Sequence, residues 1–169
     1  MNVEELVVKS NAFVEGGWIP KDYTGRGRDI SPQLSFENVC EQGRSLVIVL
    51  DDVSHPLFPN YNHWIVWNVP VVKELPEGLP AGKKISVPVK MNQGIAYGRH
   101  KYRGPKPPFN TNHKYMFSVY VLDTELEIEE TATREVVYAH MAGHVLQKGT
   151  LSGWYQRWHK TEGEEKNVI

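Results

Sequence analysis

SLVIVLDD, residues 45–52, decides the fold. The run from Ser45 to Leu50 is short and rich in β-branched side chains, and it stops abruptly at Asp51 and Asp52, as a buried strand does on reaching the rim of a sheet. Working outward, HWIVWNV at 63–69 is a second such run, halted by Pro70. KYMFSVYVL at 114–122 is a third, and VLQKGTLSGWY at 145–155 a fourth with looser alternation. Between the last two, residues 131–142 carry helical spacing, with Val136, Val137 and Met141 on one side and Gly143 as a C-terminal stop. The 11 prolines and 14 glycines fall mostly between these runs, which favours antiparallel strands joined by irregular loops over regular strand-helix alternation. No internal repeat is present. The expected class is mainly β, with helix at the periphery.

Size and charge bound what such a chain can do. At 169 residues and 40% apolar content there is material for one domain with a single core, expected over residues 1–159. The remaining residues, 160–169, are polar, and their burial cannot offset the entropy of ordering them, so a frayed tail is expected. A formal charge of -1 leaves no global field to recruit nucleic acid or an anionic membrane, so any attraction for anions is local. Cys40 is the single cysteine, which excludes an internal disulfide and a cysteine-built zinc site and fits a reducing compartment. No stretch approaches the roughly 20 apolar residues a membrane span needs. The expectation is a soluble, cytoplasmic protein.

The polar residues at the strand ends carry the chemistry. YGRHKYRGPKPPFNTNHKYMF, residues 97–117, concentrates Arg99, His100, Lys101, Arg103 and Lys106, stiffens them with Pro105, Pro107 and Pro108, and runs into His113 and Tyr115. If neighbouring strands bring their ends to one rim, Asp52, His63, His113 and Tyr115 converge. Two imidazoles and a phenol can donate hydrogen bonds, and the carboxylate orients a histidine, a set suited to a phosphate-like anion. A rigid loop containing Gly104 lets backbone approach a ligand closely. Against this, a histidine at a strand start is usually exposed or satisfied by backbone, and a proline-rich connection is usually only a connection. Asp52, His63 and His113 are also chemically a two-histidine, one-carboxylate metal set, though no compact ligand motif supports it. Ser31, Ser118 and Ser152 lie in no Gly-x-Ser-x-Gly context, which counts against a hydrolase. The basic run Arg99–Lys106 could track a nucleic-acid backbone, yet such runs are usually solvated loops.

IPKDYTGRGRDISPQLSF at 19–36, DDVSHP at 51–56, HWIVWNVP at 63–70, ELPEG at 74–78, YRGPKPPFNTNHKYMFSVYVLDTEL at 102–126 and GHVLQKGTLSGWYQR at 143–157 together resemble the phosphatidylethanolamine-binding protein family, in its bacterial and archaeal Raf kinase inhibitor-like branch. The resemblance implies an antiparallel β-sandwich with a few peripheral helices and a small anion pocket at one end. It places the pocket aspartate at Asp52, the strand-start histidine at His63, the loop glycine and proline at Gly104 and Pro108, and the His-x-Tyr pair at His113 and Tyr115. It implies a non-enzymatic binding or regulatory protein without cofactor or metal. Its ligand would be a phosphorylated head group such as phosphoethanolamine, and its partners a kinase, a protease or a second copy of the chain. A weak hydrolase or metal-dependent enzyme using the same cluster is the alternative. Departures from the family pattern are Val53, Ser54 and His55, which put the stiffening of that loop in doubt, and Lys106 at the lip. Two expectations follow: His63→Ala or His113→Ala weakens anion binding without changing the melting behaviour, and anion affinity falls as pH rises and the histidines lose their protons.

Overall fold

The computed structural model describes residues 5–158. Its strands are β1 (Val7–Lys9), β2 (Gly17–Trp18), β3 (Leu34–Glu37), β4 (Ser45–Asp52), β5 (Tyr61–Val69), β6 (Glu74–Leu75), β7 (Lys84–Ile85), β8 (Met91–Gln93), β9 (His113–Leu122) and β10 (Val145–Tyr155), with one α-helix, α1 (Arg134–Met141), and a short 3-10 turn at Lys21–Tyr23. The fold is mainly β. A seven-stranded sheet in the order β2-β10-β9-β4-β5-β8-β7 faces a three-stranded sheet β1-β3-β6. Pairing between these strands is antiparallel except between β10 and β2, which run parallel. The expected frayed tail lies outside the described residues.

β4 holds the centre of the large sheet, and its composition explains why. Every residue from Ser45 to Asp52 is buried. Leu46, Ile48 and Leu50 enter the core between the two sheets, together with Val8, Leu34, Phe36 and Leu75. Val47 and Val49 enter a second core on the opposite face, closed by Leu126, Ala132, Val137 and Met141 from α1 and the segment before it. A strand covered on both faces reads as a continuous apolar run rather than an alternating one. The β-sandwich is therefore three layers deep on the side of α1. Trp64 and Trp67 are buried in the first and second cores respectively, whereas Trp158 is exposed.

The helix is shorter than its sequence spacing predicts, beginning at Arg134 rather than at 131. The backbone before it is committed elsewhere: Ile95 N–H donates to Ala132 O, and Thr133 bridges to Ile95. Its buried stripe is Val137 and Met141, one turn apart, while Val136 turns outward. Glu130, just ahead of the helix, pairs with Lys84 at 2.8 Å. Gly143, with φ of +84°, does end the helix as expected.

One irregularity shapes the site. In the pairing of β4 with β5, Leu50 stands opposite Trp64 but Asp51 stands opposite Asn62, so His63 is the extra residue of a bulge. Asn62 Nδ2 stitches it closed by donating to Leu50 O, Trp64 O and Asp51 Oδ1. Consecutive residues of a regular strand point to opposite faces. Here Trp64 and His63 both serve the first core's side, since the His63 ring lies 5.5 Å from that of Tyr115.

Candidate functional site

The ends of β4, β5 and β9 meet at one rim, because β4 pairs with both neighbours. Asp52 stands opposite Tyr115 on one side and Tyr61 on the other. Alternation then sends the two adjacent carboxylates to opposite faces. Asp51 takes the guanidinium of Arg134 at 2.7 Å on the helix side. Asp52 Oδ2 accepts from His113 Nδ1 at 2.7 Å, with both side chains under a tenth exposed. Asp52 Oδ1 accepts from Ser54 N–H at 2.9 Å, and Ser54 Oγ accepts from Lys114 N–H at 2.9 Å. The serine that replaces the family's aspartate thus still stiffens the loop. His55, the next departure, stacks on Tyr61 with ring centroids 4.9 Å apart, and its Nδ1 accepts the N–H groups of Leu57 and Phe58.

His63 and Tyr115 complete the cluster in an aromatic lattice. The His63 ring is 5.5 Å from Tyr115, 5.1 Å from Tyr97 and 6.0 Å from Tyr61, edge-on in each case, and His113 lies 6.4 Å from Tyr115. His63 Nδ1 donates to Arg103 O at 2.9 Å, which ties β5 to the proline-rich loop. Four of the six residues singled out from sequence, Asp52, His63, His113 and Tyr115, are therefore contiguous.

The other two stand differently. Gly104 is buried, but its N–H donates to Asp29 Oδ1 at 2.7 Å, and a Cβ there would overlap Tyr23 O. Its smallness serves the packing of this loop on residues 23–29 rather than the approach of a ligand, and its N–H is not free for an anion. Asp29, half-buried with a φ of +54°, is the site-supporting residue that sequence reasoning missed. Pro108 is exposed at the outer edge, and its carbonyl is taken by Thr111 rather than by any member of the cluster. Lys106 is exposed at the lip with its stem against Gly25, where a Cβ would come within 3.1 Å of it.

Protonation changes what the histidines offer. A carboxylate and a carbonyl only accept, so each Nδ1 must carry a proton, and each neutral ring keeps Nε2 as an acceptor. An anion then gains a donor only when a ring becomes cationic. Burial lowers the pKa of His63 below 6.5, outweighing the Arg103 carbonyl, Asp52 and the Gly104 backbone, while the charge of Arg103 adds to the lowering. At His63 the gain of a cationic donor is therefore displaced below pH 6.5. Burial also raises the Tyr115 phenol above its ordinary value, with Asp52 adding to the effect and Lys106 N–H opposing it. Tyr115 is a neutral donor. Among the described residues, no three His, Cys, Asp or Glu side chains are disposed to hold a metal ion. Of the serines weighed as nucleophiles, Ser31 Oγ accepts from Leu79 N–H and Ser152 Oγ donates to Glu15. No helix among the described residues is long and apolar enough to cross a membrane.

Comparison with known proteins agrees with the fold and the motifs. A family model described as phosphatidylethanolamine-binding protein matches residues 9–156. The UPF0098 protein of Pyrococcus abyssi is 44% identical over 156 residues, covering 91% of this chain and 87% of the relative. That of Aquifex aeolicus is 37% identical over 156 residues, covering 90% and 89%. Among solved structures, a Chlamydia trachomatis homolog of phosphatidylethanolamine-binding protein superposes with a TM-score of 0.80 at 34% identity, covering 91% of this chain and 99% of that one. Escherichia coli YbcL, described as a new member of the mammalian family, gives a TM-score of 0.80 at 23% identity over 92% of this chain and 100% of its own, a likeness of fold alone. This chain belongs to the phosphatidylethanolamine-binding protein family.

Proposed function

We propose that this chain is a non-enzymatic binding protein whose rim cluster takes the phosphoryl part of a small anionic ligand, such as the head group phosphoethanolamine. The observation that carries the reading is the buried Asp52–His113 pair at 2.7 Å, set with His63 and Tyr115 at the ends of three adjacent strands. A purely structural strand end needs no buried carboxylate-imidazole pair, because burying charge costs free energy unless the group is put to use or well paired. A neutral His63 ring also favours phosphate monoesters: their second proton titrates at about pH 6, so a ligand P–OH can donate to its Nε2 acceptor, which sulfate cannot do. The same reading gives this face a regulatory role toward a protein partner, a kinase or a protease.

Titration calorimetry with phosphoethanolamine tests the reading. Wild type should bind near pH 6, and His63→Gln and Asp52→Asn should each weaken binding about tenfold, the worth of one charge-assisted hydrogen bond. Unchanged affinity in both variants would sink the shared pocket.

A further inference from the structure

The residues of the cluster supply no permanent cation. Asp52 is a carboxylate, His63 is held neutral by burial, and the Gly104 N–H is spent on Asp29, while Lys106 is an exposed side chain at the lip. A dianion placed beside these groups above pH 7 meets one fixed negative charge and the lone pair of the neutral His63 ring.

Arg103 answers this deficit. We infer that Arg103 is a ligand-binding residue, whose guanidinium supplies the fixed positive charge that holds a dianionic phosphoryl group beside His63 at neutral and alkaline pH. The inference rests on the pocket reading above and adds the group that carries its charge. The Arg103 backbone is anchored in the site by the bond from His63 Nδ1 to its carbonyl. Its guanidinium carbon lies 4.4 Å from the centroid of Tyr97, whose ring is in turn 5.1 Å from that of His63. The charge is close enough to act on His63 directly.

What the guanidinium does not do is as informative. Its Nε is buried without a hydrogen-bond partner. Among the described residues it forms no ion pair, in contrast to Arg134, which is held by Asp51 and Glu135. Arg26 shares a buried, unpartnered Nε, but one of its terminal nitrogens donates to Pro107 O at 2.7 Å. A buried donor of a charged group left unmade carries the full desolvation cost of that donor, so an orphan of this kind calls for an explanation. The guanidinium lies over the Tyr97 ring while its nitrogens stay unpaired among the described residues, which leaves the fork that recognises phosphate in a bidentate manner unspent on other side chains. It lies over Tyr97 and acts on His63, which Asp52 also acts on, and Asp29 is bonded to the neighbouring Gly104.

Inorganic phosphate is the probe, titrated calorimetrically at pH 6 and pH 8 into wild type, Arg103→Gln, Arg103→Lys and Arg26→Gln, with thermal unfolding confirming that each variant folds. Wild type should still bind at pH 8. Arg103→Gln should lose about tenfold or more there, and Arg103→Lys should recover part of it, a charge without the planar fork. Arg26→Gln should bind like wild type. In the NMR titration of the His63 ring, Arg103→Gln should move the midpoint to higher pH in the free protein, which reports the loss of the charge beside the ring, and phosphate should move that midpoint less in Arg103→Gln than in wild type. If Arg103→Gln binds phosphate like wild type at pH 8 while Asp52→Asn does not, the pocket stands and the role of Arg103 is wrong. If wild type binds no phosphate at either pH, both readings are overturned.

Discussion

Replacing His113 by alanine separates a buried acceptor from its donor, and the structure makes the result predictable. The Asp52 side chain is 4% exposed and its partner's 9%, with 2.7 Å between them. After the substitution Asp52 keeps the N–H of Ser54 but loses the bond to Oδ2, and little water can replace it. Removing one partner of such a buried pair costs about 3–5 kcal/mol, much of it from the carboxylate left unpaired rather than from the hydrogen bond itself. In a chain of this size each kcal/mol lowers the melting temperature by about 2–4 °C, so His113→Ala should melt roughly 6–20 °C below wild type. The expectation drawn from sequence, that this variant keeps its melting behaviour, treats the ring as a surface group and does not hold for a pair this buried. Thermal unfolding at pH 7, followed by circular dichroism, measures the drop. The double variant Asp52→Asn/His113→Ala carries no orphaned charge and should melt above His113→Ala alone. A single variant within about 2 °C of wild type, or a double variant with the two losses simply added, would refute the reasoning.

Two further outcomes follow from burial. The pKa of His63 lies below 6.5 in the fold, so below that pH the unfolded chain binds this proton more readily than the folded one. The contribution of His63 is therefore complete above pH 6.5 and is lost as pH falls toward its folded value; the unfolding free energy of wild type should drop more steeply between about pH 7 and 5 than that of His63→Gln, and parallel slopes would contradict it. Gly104→Ala would press a methyl group onto Tyr23 O and within 2.9 Å of Asp29 Oδ1, so stability and phosphate affinity should fall together as residues 103–106 shift; a wild-type melting curve would show that the loop is not held here.

Legibility of the fold followed burial. SLVIVLDD reads as a strand from its composition because β4 packs apolar side chains on both faces, and VLQKGTLSGWY coincides with β10. The second sheet was not legible, since β1, β3 and β6 have 3, 4 and 2 residues, too few for alternation to register. The helix start was misplaced for a tertiary reason. The backbone of Ala132 and Thr133 is spent on Ile95, and no local propensity signals that commitment.

For the site, residue types were legible and their division of labour was not. Asp51 and Asp52 read alike in sequence, as the polar end of one strand. Only pairing shows that one carboxylate faces Arg134 and the other His113, because strand alternation sends neighbours to opposite faces. The bulge at His63 breaks the same rule in the neighbouring strand, putting His63 on the side of Trp64, and nothing in HWIVWNV marks it. Each ring nitrogen spent on Asp52 or on the Arg103 carbonyl then removes a donor that residue type alone would offer an anion. In the proposed pocket the fixed positive charge is therefore assigned to a guanidinium inside the basic run 99–106 rather than to the histidines. That run resembles a solvated loop until Arg103 is seen lying against Tyr97 with its Nε buried and unpaired.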